Sequence, residues 1–285
     1  MKRSIHSIKQ FLMRVATNAP AIGKQSLVAG TSLFAILGIV GLFFDLPNIF
    51  SSNLCKLAVI FGIVLVSCMI GFFHAIWKQE TIVIEANGGH KLTMRYGDLL
   101  ASTARIKVIA VNRCFDTIVD DKFVSVKSIH GQWIRQIMKE ISLQELDAKI
   151  EAALSTQTYS SEIERINKEG KSLRYPVGSI AEIRINDQIY YLLGLTKFDQ
   201  NQNASCSEEE YLLAIQRLME YYDKHSQGYE IDIALMGTGF SRMPQDDKEI
   251  LEIMLALIRF NNRHLVGNIN LIISKKMRSR ISINI

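Results

Sequence analysis

The 285-residue chain has few cysteines, and they are not spaced as pairs. The four lie at positions 55, 68, 114 and 206, and two of them fall in or beside long apolar runs. This spacing supports neither a disulfide framework nor a zinc site, which agrees with a reducing cytoplasm. We therefore expect no metal and no resident cofactor.

A basic stripe interleaved with aromatic residues is also absent, although the formal net charge is +5. Nucleic-acid binding therefore gets no support. The C-terminal tail is basic through Lys275, Lys276, Arg278 and Arg280. Two interpretations of this tail stay open, a solvated chain end and a contact with anionic lipid.

Charged residues are missing from two long runs near the N-terminus. Residues 27–44 carry no charge, and residues 57–77 contain His74 as their one ionisable side chain. Each run is close to the ~18–20 residues that cross a bilayer. Two such runs so close together predict a transmembrane hairpin, with helices at about 27–46 and 57–77, rather than a signal peptide or two core helices.

The charges around the two runs predict their orientation. Five basic residues precede the first run and Lys78 follows the second, whereas residues 45–56 hold one acid and one base. The positive-inside bias then places both termini in the cytoplasm. Within residues 1–24, the segment 4–15 has an apolar and a basic face and fits an amphipathic helix on the membrane surface. The hairpin occupies residues 25–79, and residues 80–285 form a soluble domain.

Strand and helix patterns alternate through that domain. Turn residues predict two β-hairpins, at 81–95 and 177–196, and short apolar runs predict strands at 106–111, 231–236 and 270–274. Helices are expected after Ser128, Ser142 and Ser207 and at 247–260, and residues 156–174 fit a long loop or a mobile arm. The alternation predicts a three-layer α/β fold with a mixed sheet.

Three of the predicted strands end in small or polar residues. The run 231–236 stops at Gly237, Thr238 and Gly239, the hairpin at 81–95 is followed by Gly97-Asp98-Leu99, and the strand at 106–111 ends in Asn112. Glycines let a ligand approach the main chain, and ligands of α/β sheets sit outside the carboxyl ends of the strands. Asp98 also fits a turn residue, Asn112 a strand terminator, and the glycine loop a simple turn.

The order of these motifs resembles the macro domain, the ADP-ribose-binding module, from about residue 80 onward. The resemblance implies that Asp98 accepts a hydrogen bond from adenine, that Leu99 lines the adenine pocket and that Asn112 lies near the distal ribose. It implies that the backbone of Gly237, Thr238 and Gly239 holds the diphosphate and that Phe240 packs on the distal ribose. Phe240 also fits a core aromatic residue.

One departure from the macro domain concerns its first phosphate loop, a run of glycines after the Asn, which is absent here. We expect Ser128, His130 and Gly131 to take over part of that contact. The resemblance adds Gly178, Ser179 and Arg242 to the ligand-binding residues. Because that loop also positions the reactive water in macro-domain hydrolases, its loss favours a binding module over an enzyme.

The motifs CFDTIVDD, SIHGQWI, YPVGSIAEI and LMGTGFSR, together with the two apolar runs, resemble the membrane-bound macro-domain effectors of type II Thoeris anti-phage systems. That resemblance implies a signal, a histidine-conjugated ADP-ribose made by a partner TIR-domain protein. Binding of the signal would drive homo-oligomerisation and disruption of the bacterial inner membrane, which causes abortive infection. The alternative is a membrane-tethered ADP-ribosyl hydrolase that uses Asp116, Asp120 or Asp121. A transport role fits poorly, since the two runs carry no charge at mid-membrane depth.

Overall fold

The structure is a computed structural model that describes residues 2–43, 53–78, 81–87, 89–162, 170–198, 204–238, 245–261 and 266–283. Its contacts divide the chain into two compact units. The first, here called the helical unit, comprises residues 1–82 and 276–285, and the second, the sheet unit, comprises residues 83–275. The chain therefore passes between the two units at two places.

Three helices form the core of the helical unit: α1 (Lys2–Thr17), α2 (Ala19–Phe43) and α3 (Asn53–Phe73), the last followed by a π-helical turn, His74–Lys78. The break between α1 and α2 lies at Asn18, because Pro20 in the first turn of α2 has no N–H to continue the hydrogen-bond ladder. The Asn18 side chain donates to the Arg14 carbonyl at 2.8 Å. By length and composition, Ala19–Gly41 and Asn53–Ile76 are both able to cross a membrane.

Small residues let α2 and α3 approach closely. A Cβ added at Gly71 would collide with the Ser26 hydroxyl and would lie 2.7 Å from the Ile22 carbonyl oxygen. A Cβ at Gly30 would lie 3.3 Å from the Ser67 hydroxyl. Such small-residue contacts are the usual interface of helices in lipid, where apolar side chains gain little by packing on each other. Most other side chains of the two helices are exposed.

The C-terminal segment belongs to the helical unit, although its sequence follows the last strand of the sheet. The Ser282 hydroxyl donates to the Asn18 side-chain oxygen at 2.7 Å, and the Thr17 hydroxyl donates to the Ser279 carbonyl at 3.2 Å. Met277, Ile281 and Ile283 are buried. The sequence groups residues 80–285 as one domain, whereas the contacts assign residues 276–285 to the helices.

The sheet unit is built on one mixed sheet, as predicted. The strands in chain order are β1 (Thr81–Asn87), β2 (His90–Gly97), β3 (Ile106–Asn112), β4 (Ser161–Glu162), β5 (Leu173–Arg174), β6 (Ile180–Ile185), β7 (Gln188–Phe198), β8 (Ala204–Ser205), β9 (Ile231–Ala234) and β10 (Ile269–Ser274). Strands β4 and β5 form a separate pair, and the other strands belong to the mixed sheet. The order is β1-β2-β10-β9-β3-β7-β6, with β8 also paired to β7. Strands β2, β10, β9, β3 and β7 are mutually parallel, and β6 runs antiparallel to β7.

Helices cover both faces of this sheet. They are α4 (Ile129–Ile137), α5 (Leu143–Leu154), α6 (Glu208–His225) and α7 (Asp247–Asn261). Neighbouring residues of a strand point to opposite faces. Tyr190 accordingly packs on Trp133 of α4, with ring centroids 5.4 Å apart, and Tyr191 packs on Tyr221 of α6 at 5.0 Å. Helix α5 contacts β6 and α7 contacts α6, which gives the predicted three-layer α/β/α sandwich.

The helix starts follow the predicted caps. The hydroxyls of Ser128, Ser142 and Ser207 each accept a hydrogen bond from the first turn of α4, α5 and α6. Ser207 and Glu210 form a complete capping box, since Glu210 in turn accepts from the Ser207 N–H. These bonds satisfy N–H groups that have no partner inside the helix.

Candidate functional site

Five parallel strands end at the same edge of the sheet, and this edge carries several predicted ligand residues. Strand β2 ends beside β10, where Gly97 is paired with Ser274, and β3 ends at Asn112. Strand β9 ends at Ala234 and leads into the glycine loop. Five of the predicted ligand residues stand at the ends of these strands or directly after them: Asp98, Leu99, Asn112, Gly237 and Thr238.

Asp98 opens the crossover, residues 98–105, that carries the chain from β2 to β3. Its side chain is exposed, and one carboxylate oxygen accepts the Leu100 N–H at 3.0 Å. Leu99 is buried in the core under α4 and α5. Asp98 therefore presents a carboxylate to solvent at the sheet edge, while Leu99 fixes the start of the crossover.

A buried polar network lies beneath this crossover. Asp232 of β9 is fully buried, and its carboxylate accepts hydrogen bonds from Arg95 at 2.7 Å, from Asn270 at 2.7 Å and from Ser102. Lys107 of β3 donates to the Leu100 carbonyl at 3.1 Å. Burial lowers the pKa of Lys107, and the nearby carboxylates of Asp232 and Asp98 oppose that shift. The network ties the crossover to β2, β9 and β3.

The Asn112 side chain organises the loop that follows β3. Its oxygen accepts the N–H groups of Cys114 and Asp116 at 3.0 and 3.3 Å, and its nitrogen donates to the Phe123 carbonyl at 3.4 Å. Phe115 within this loop adopts a φ of 55°. Asn112 lies at the predicted place on the edge, with its amide engaged by the loop. Its contact with a ribose stays a prediction.

The three acids of this loop also have contacts within the protein. Asp116 is fully buried and accepts the Lys171 N–H at 2.7 Å. Asp120 accepts the N–H groups of Lys122 and Phe123 at 2.8 and 2.9 Å. Asp121 accepts the Val126 N–H and the Ser125 hydroxyl, and these two bonds lower its pKa. The loop that replaces the glycine run is therefore held by its own side chains.

Ser128, His130 and Gly131 form the start of α4. The Ser128 hydroxyl accepts the Gly131 N–H at 3.0 Å, so this helix N–H already has a partner. A Cβ at Gly131 would collide with the Ser125 carbonyl oxygen. His130 is buried against Trp133, and burial together with the charge of Lys171 lowers its pKa to about 3. These contacts give the three residues a role in folding, and their phosphate contact stays a prediction.

Gly178 and Ser179 lie where the chain enters β6. The Gly178 N–H donates to the Gly194 carbonyl at 2.8 Å, and the Gly194 N–H donates to the Ser179 carbonyl at 2.9 Å. Gly178 has a φ of 77°, and a Cβ there would lie 2.8 Å from the Arg217 side chain. Both residues line a cavity of about 590 Å³ beside α6, together with Arg217 and Tyr221. The other predicted ligand residues do not line this cavity in the part of the chain that the structure describes.

The glycine loop after β9 is described as far as Thr238. Gly237 has a φ of 91°, which a residue with a side chain rarely adopts. The Met236 carbonyl accepts a hydrogen bond from the buried Tyr211 hydroxyl at 3.2 Å. Three predicted ligand residues lie outside the described residues: Gly239, expected at the diphosphate, Phe240, expected on the distal ribose, and Arg242.

A cluster of charged side chains lies at the end of β7, and its members Arg113, Lys197 and Glu210 were not predicted from the sequence to bind the ligand. Arg113 and Lys197 contact the same Glu210 oxygen at 3.0 and 2.8 Å, and Arg174 donates to the Phe198 carbonyl at 3.4 Å. The one indication of this cluster in the sequence is the position of Arg113, which directly follows the predicted ligand residue Asn112. The other members come from distant segments, and the pairing of β3 with β7 brings them together.

Within the described ranges, no group of three or more His, Cys, Asp or Glu side chains is placed to hold a metal ion. The chemistry that the edge offers is instead hydrogen bonding from backbone N–H groups, exposed carboxylates such as that of Asp98, and cations at the end of β7.

An eight-strand mixed sheet between two helical layers, with a polar strand end and a glycine loop at the carboxyl edge, is the arrangement of the macro-domain class. Residues 92–274 match the family described as Thoeris protein ThsA, macro domain, and the chain belongs to that family. A curated relative, the Thoeris protein ThsA of Bacillus amyloliquefaciens (strain Y2), is 28% identical over 207 residues. The match covers 71% of this chain and 67% of the relative.

Solved structures that are similar to this chain include two macrodomains and a complex with ADP-ribose. A variant of the Oceanobacillus iheyensis macrodomain is 14% identical, with a TM-score of 0.47, and the match covers 71% of this chain and 91% of that one. The macrodomain of Thermus aquaticus DarG is 13% identical, with a TM-score of 0.40 and coverages of 65% and 97%. Thermosipho africanus DarTG, in complex with ADP-ribose, is 10% identical, with a TM-score of 0.41 and coverages of 72% and 46%.

Proposed function

We propose that the protein is a membrane-anchored anti-phage effector whose cytoplasmic macro domain binds an ADP-ribose-derived signal, a histidine-conjugated ADP-ribose made by a partner TIR-domain protein. Binding drives homo-oligomerisation, and the clustered hairpins disrupt the bacterial inner membrane and cause abortive infection. The observation that carries this proposal is the match to the ThsA macro domain in a chain that also has two helices long and apolar enough to span a bilayer.

The helical unit supports the anchoring part of the proposal. We propose that residues 25–79 span the membrane twice with both termini in the cytoplasm, and that residues 1–24 lie on its inner surface. Exposed apolar side chains on α1, among them Ile8, Phe11 and Leu12, provide the face that would enter the lipid. The ligand-binding domain begins near residue 80.

The sheet edge supports the binding part. Asp98 offers an acceptor for an exocyclic amine, and Gly237 has no side chain that would keep a diphosphate away from the main chain. In this arrangement adenine lies at the end of β2, the diphosphate at the end of β9 and the distal ribose at the end of β3. The side chains of Leu99 and Asn112, both buried, hold the backbone at the two ends of that line.

A signal drives assembly only when it binds the assembled form better than the resting form. A shift of the population from 1:99 to 99:1 requires about 5.5 kcal/mol of differential affinity. A buried diphosphate with several charge-assisted hydrogen bonds is able to supply a difference of that size, since each such bond contributes about 1.5–3 kcal/mol.

The contacts of the three loop acids favour a binding role over hydrolysis. A general base has to reach the attacking water, and Asp116, which is fully buried, accepts the Lys171 N–H, while Asp120 and Asp121 each use one carboxylate oxygen to accept backbone N–H groups of the loop. We therefore propose binding without turnover.

The test uses the full chain in lipid nanodiscs and calorimetry against ADP-ribose, its histidine conjugate, NAD and cyclic ADP-ribose isomers. We expect tight binding of the histidine conjugate and no release of free ADP-ribose over time. Asp98→Ala should weaken binding about tenfold through loss of one hydrogen bond to the adenine amine. The matched control is Asp187→Ala, at an exposed turn between β6 and β7.

Two results would overturn this function. Turnover of an ADP-ribosylated substrate by the same preparation would establish the hydrolase alternative. A folded protein that binds none of the four ligands would show that the glycine loop is only a turn. The membrane step is tested separately, by leakage of a dye from vesicles that carry the protein, before and after addition of the conjugate.

A further inference from the structure

The charged cluster at the end of β7 consists of Arg113, Arg174, Lys197 and Glu210 and is called here the β7-end cluster. Arg113 is fixed from three directions: its backbone N–H donates to the Thr196 carbonyl at 2.8 Å, its Nε donates to the Tyr175 carbonyl at 2.8 Å, and its Nη1 contacts Glu210 at 3.0 Å. Tyr175 in turn donates its N–H to the Arg113 carbonyl at 2.9 Å. This reciprocal pair of bonds sets Arg174, the preceding residue, beside Arg113.

The cluster carries more positive than negative charge. It has three cations and one carboxylate, and Glu210 already receives Lys197, Arg113 and the Ser207 N–H. The side chains of Arg113 and Glu210 are 12% and 17% exposed, so the imbalance lies in a partly dry site. Burial lowers the pKa of Arg113, Glu210 opposes this shift, and the charge of Arg174 adds to it.

Arg174 has hydrogen-bonding capacity that the described part of the protein does not use. Its Nε is buried and, among the residues that the structure describes, meets no hydrogen-bond acceptor. Its Nη2 makes one long bond of 3.4 Å to the Phe198 carbonyl. A buried N–H without a partner costs about 1–3 kcal/mol, which an anionic ligand group would recover.

The place of the cluster follows from the strand order and rests on the proposed function. Adenine at β2, the diphosphate at β9 and the distal ribose at β3 form a line along the carboxyl edge, and the next strand on that line is β7. Arg113 directly follows Asn112, and Asn112 is paired with Thr196 of β7. A group attached to the far side of the distal ribose therefore points toward the β7-end cluster.

We propose that the β7-end cluster binds a carboxylate carried by the terminal group of the ligand, and that Arg174 selects ADP-ribose conjugates that have this charge. A guanidinium presents parallel N–H donors that match the two oxygens of a carboxylate. An amino-acid conjugate with a free α-carboxylate has this chemistry, whereas unmodified ADP-ribose does not reach the cluster. The cluster thus distinguishes a signal from the ordinary nucleotide.

The experiment measures the affinity of the full chain in nanodiscs for four probes: ADP-ribose, its histidine conjugate, its histidinamide conjugate and ADP-ribose 1″-phosphate. We expect the histidine conjugate to bind about tenfold or more tightly than the histidinamide conjugate, because one charged hydrogen-bonding pair is lost. Arg174→Gln should bring the ratio of the two conjugates' affinities to about one and leave the affinity for ADP-ribose unchanged. Arg174→Lys should restore part of the ratio.

Two further variants complete the test. Lys197→Gln removes a second, more exposed cation of the cluster and should reduce the ratio in the same direction. Arg184→Gln, an exposed arginine on β6, is the matched control and should leave the ratio unchanged. Binding of ADP-ribose by each variant shows that the domain is folded, so a loss of the ratio cannot come from misfolding.

The outcomes separate this inference from the proposed function. Equal affinities for the histidine and histidinamide conjugates in a protein that binds ADP-ribose would overturn the cluster's role and leave the proposed function standing. So would a ratio that survives both Arg174→Gln and Lys197→Gln. A preference for the 1″-phosphate over the carboxylate would replace a carboxylate site by a phosphate site and overturn the proposal as stated. A wild-type protein that binds no probe would overturn both.

Discussion

His130 is buried in an environment that favours its neutral form. Its pKa of about 3 lies far below the usual value of about 6.5, because burial and the charge of Lys171 both oppose a second proton. In the unfolded chain the imidazole takes up that proton below about pH 6.5. The unfolded state therefore binds more protons between these two values, and stability is lost as the pH falls through that window.

The prediction is that His130→Phe, which keeps a ring against Trp133, flattens the acid side of the stability profile. The wild type should lose up to about 1.4 kcal/mol per pH unit from this residue between about pH 6.5 and pH 3. Thermal unfolding of both proteins at pH 7, 5.5 and 4 measures the difference. His225→Phe on the exposed end of α6 is the control. A constant gap between His130→Phe and the wild type across this range would contradict the prediction.

At the residue scale, the sequence predicts contacts between residues that are close in the chain. It does not predict contacts that form only when distant segments pack together. The helix start at Ser207 was predicted correctly, because its capping contacts with Glu210 lie within three residues of the chain. The engagement of the Asn112 amide by Cys114 and Phe123 depends on how a long loop folds back, and no spacing rule encodes it. The contact of Arg174 with the end of β7 joins residues from distant segments, and no local pattern encodes it.

The crossover from β2 to β3 is the element that presents Asp98, and the Asp232 network holds it in place. Asp232→Ala removes the buried partner of Arg95, and breaking a buried ion pair in this way costs about 3–5 kcal/mol. We therefore expect a large drop in the free energy of unfolding, together with weaker binding of ADP-ribose through a loosened Asp98. Chemical unfolding and calorimetry on the same samples measure both effects.

A surface pair gives the comparison for this variant. Glu85→Ala removes the exposed contact with Arg259 at 3.3 Å, and such pairs contribute about 0–1 kcal/mol. Asp232→Asn keeps the shape and loses the charge, so its loss of stability should lie between the two. If Asp232→Ala were as stable as Glu85→Ala, the network would not be what holds the crossover.

The seam between α2 and α3 is the element that makes the hairpin compact. Gly71→Ile places a branched side chain against the Ser26 hydroxyl and the Ile22 carbonyl, so the helices must separate. Overpacking of this kind costs about 1–3 kcal/mol. The measurement is the thermal midpoint of the detergent-solubilised chain, followed by size-exclusion chromatography after heating.

Gly62 provides a control on the same helix. A Cβ there meets no atom within 4 Å, so Gly62→Ile should leave the midpoint close to that of the wild type. Equal losses for Gly62→Ile and Gly71→Ile would show that the helix tolerates neither side chain for reasons other than this seam.

Element type was predictable wherever a periodic pattern was long. The apolar helices, the two hairpins and the strand before the glycine loop all have patterns of sufficient length. Strands β4, β5 and β8 have two residues each, which is too short for an alternating pattern. Residues 156–174 were therefore interpreted as a loop, although their two ends pair as β4 and β5.

At the scale of the whole molecule, the chain connects the sheet unit to the helical unit twice, after residue 82 and after residue 275. The second connection directly follows β10, the strand between β2 and β9, both of which carry predicted ligand residues at their ends. The sequence did not indicate this return. Its three buried apolar residues are interspersed with lysine and arginine, and such a segment is equally typical of a solvated tail.

Ile281 carries the prediction at this scale. Its side chain is fully buried, and its N–H donates to the Met277 carbonyl at 2.9 Å. Ile281→Ala should destabilise the segment by about 2–5 kcal/mol. Because Ser282 and Ser279 contact Asn18 and Thr17, we expect faster hydrogen exchange around Asn18 in the variant. Hydrogen exchange with mass spectrometry on the full chain in nanodiscs measures this change.

The matched control is Lys276→Ala, at an exposed position of the same segment. We expect both variants to bind ADP-ribose as the wild type does, because the tail lies outside the sheet unit. Under the proposed function, Ile281→Ala should then bind the histidine conjugate and cause less dye leakage from vesicles, since one of the two connections has been loosened. The prediction would be wrong if Ile281→Ala caused as much leakage as Lys276→Ala and left hydrogen exchange around Asn18 unchanged. The tail would then not stabilise the helical unit, and the connection after residue 82 would be enough to transmit ligand binding to it.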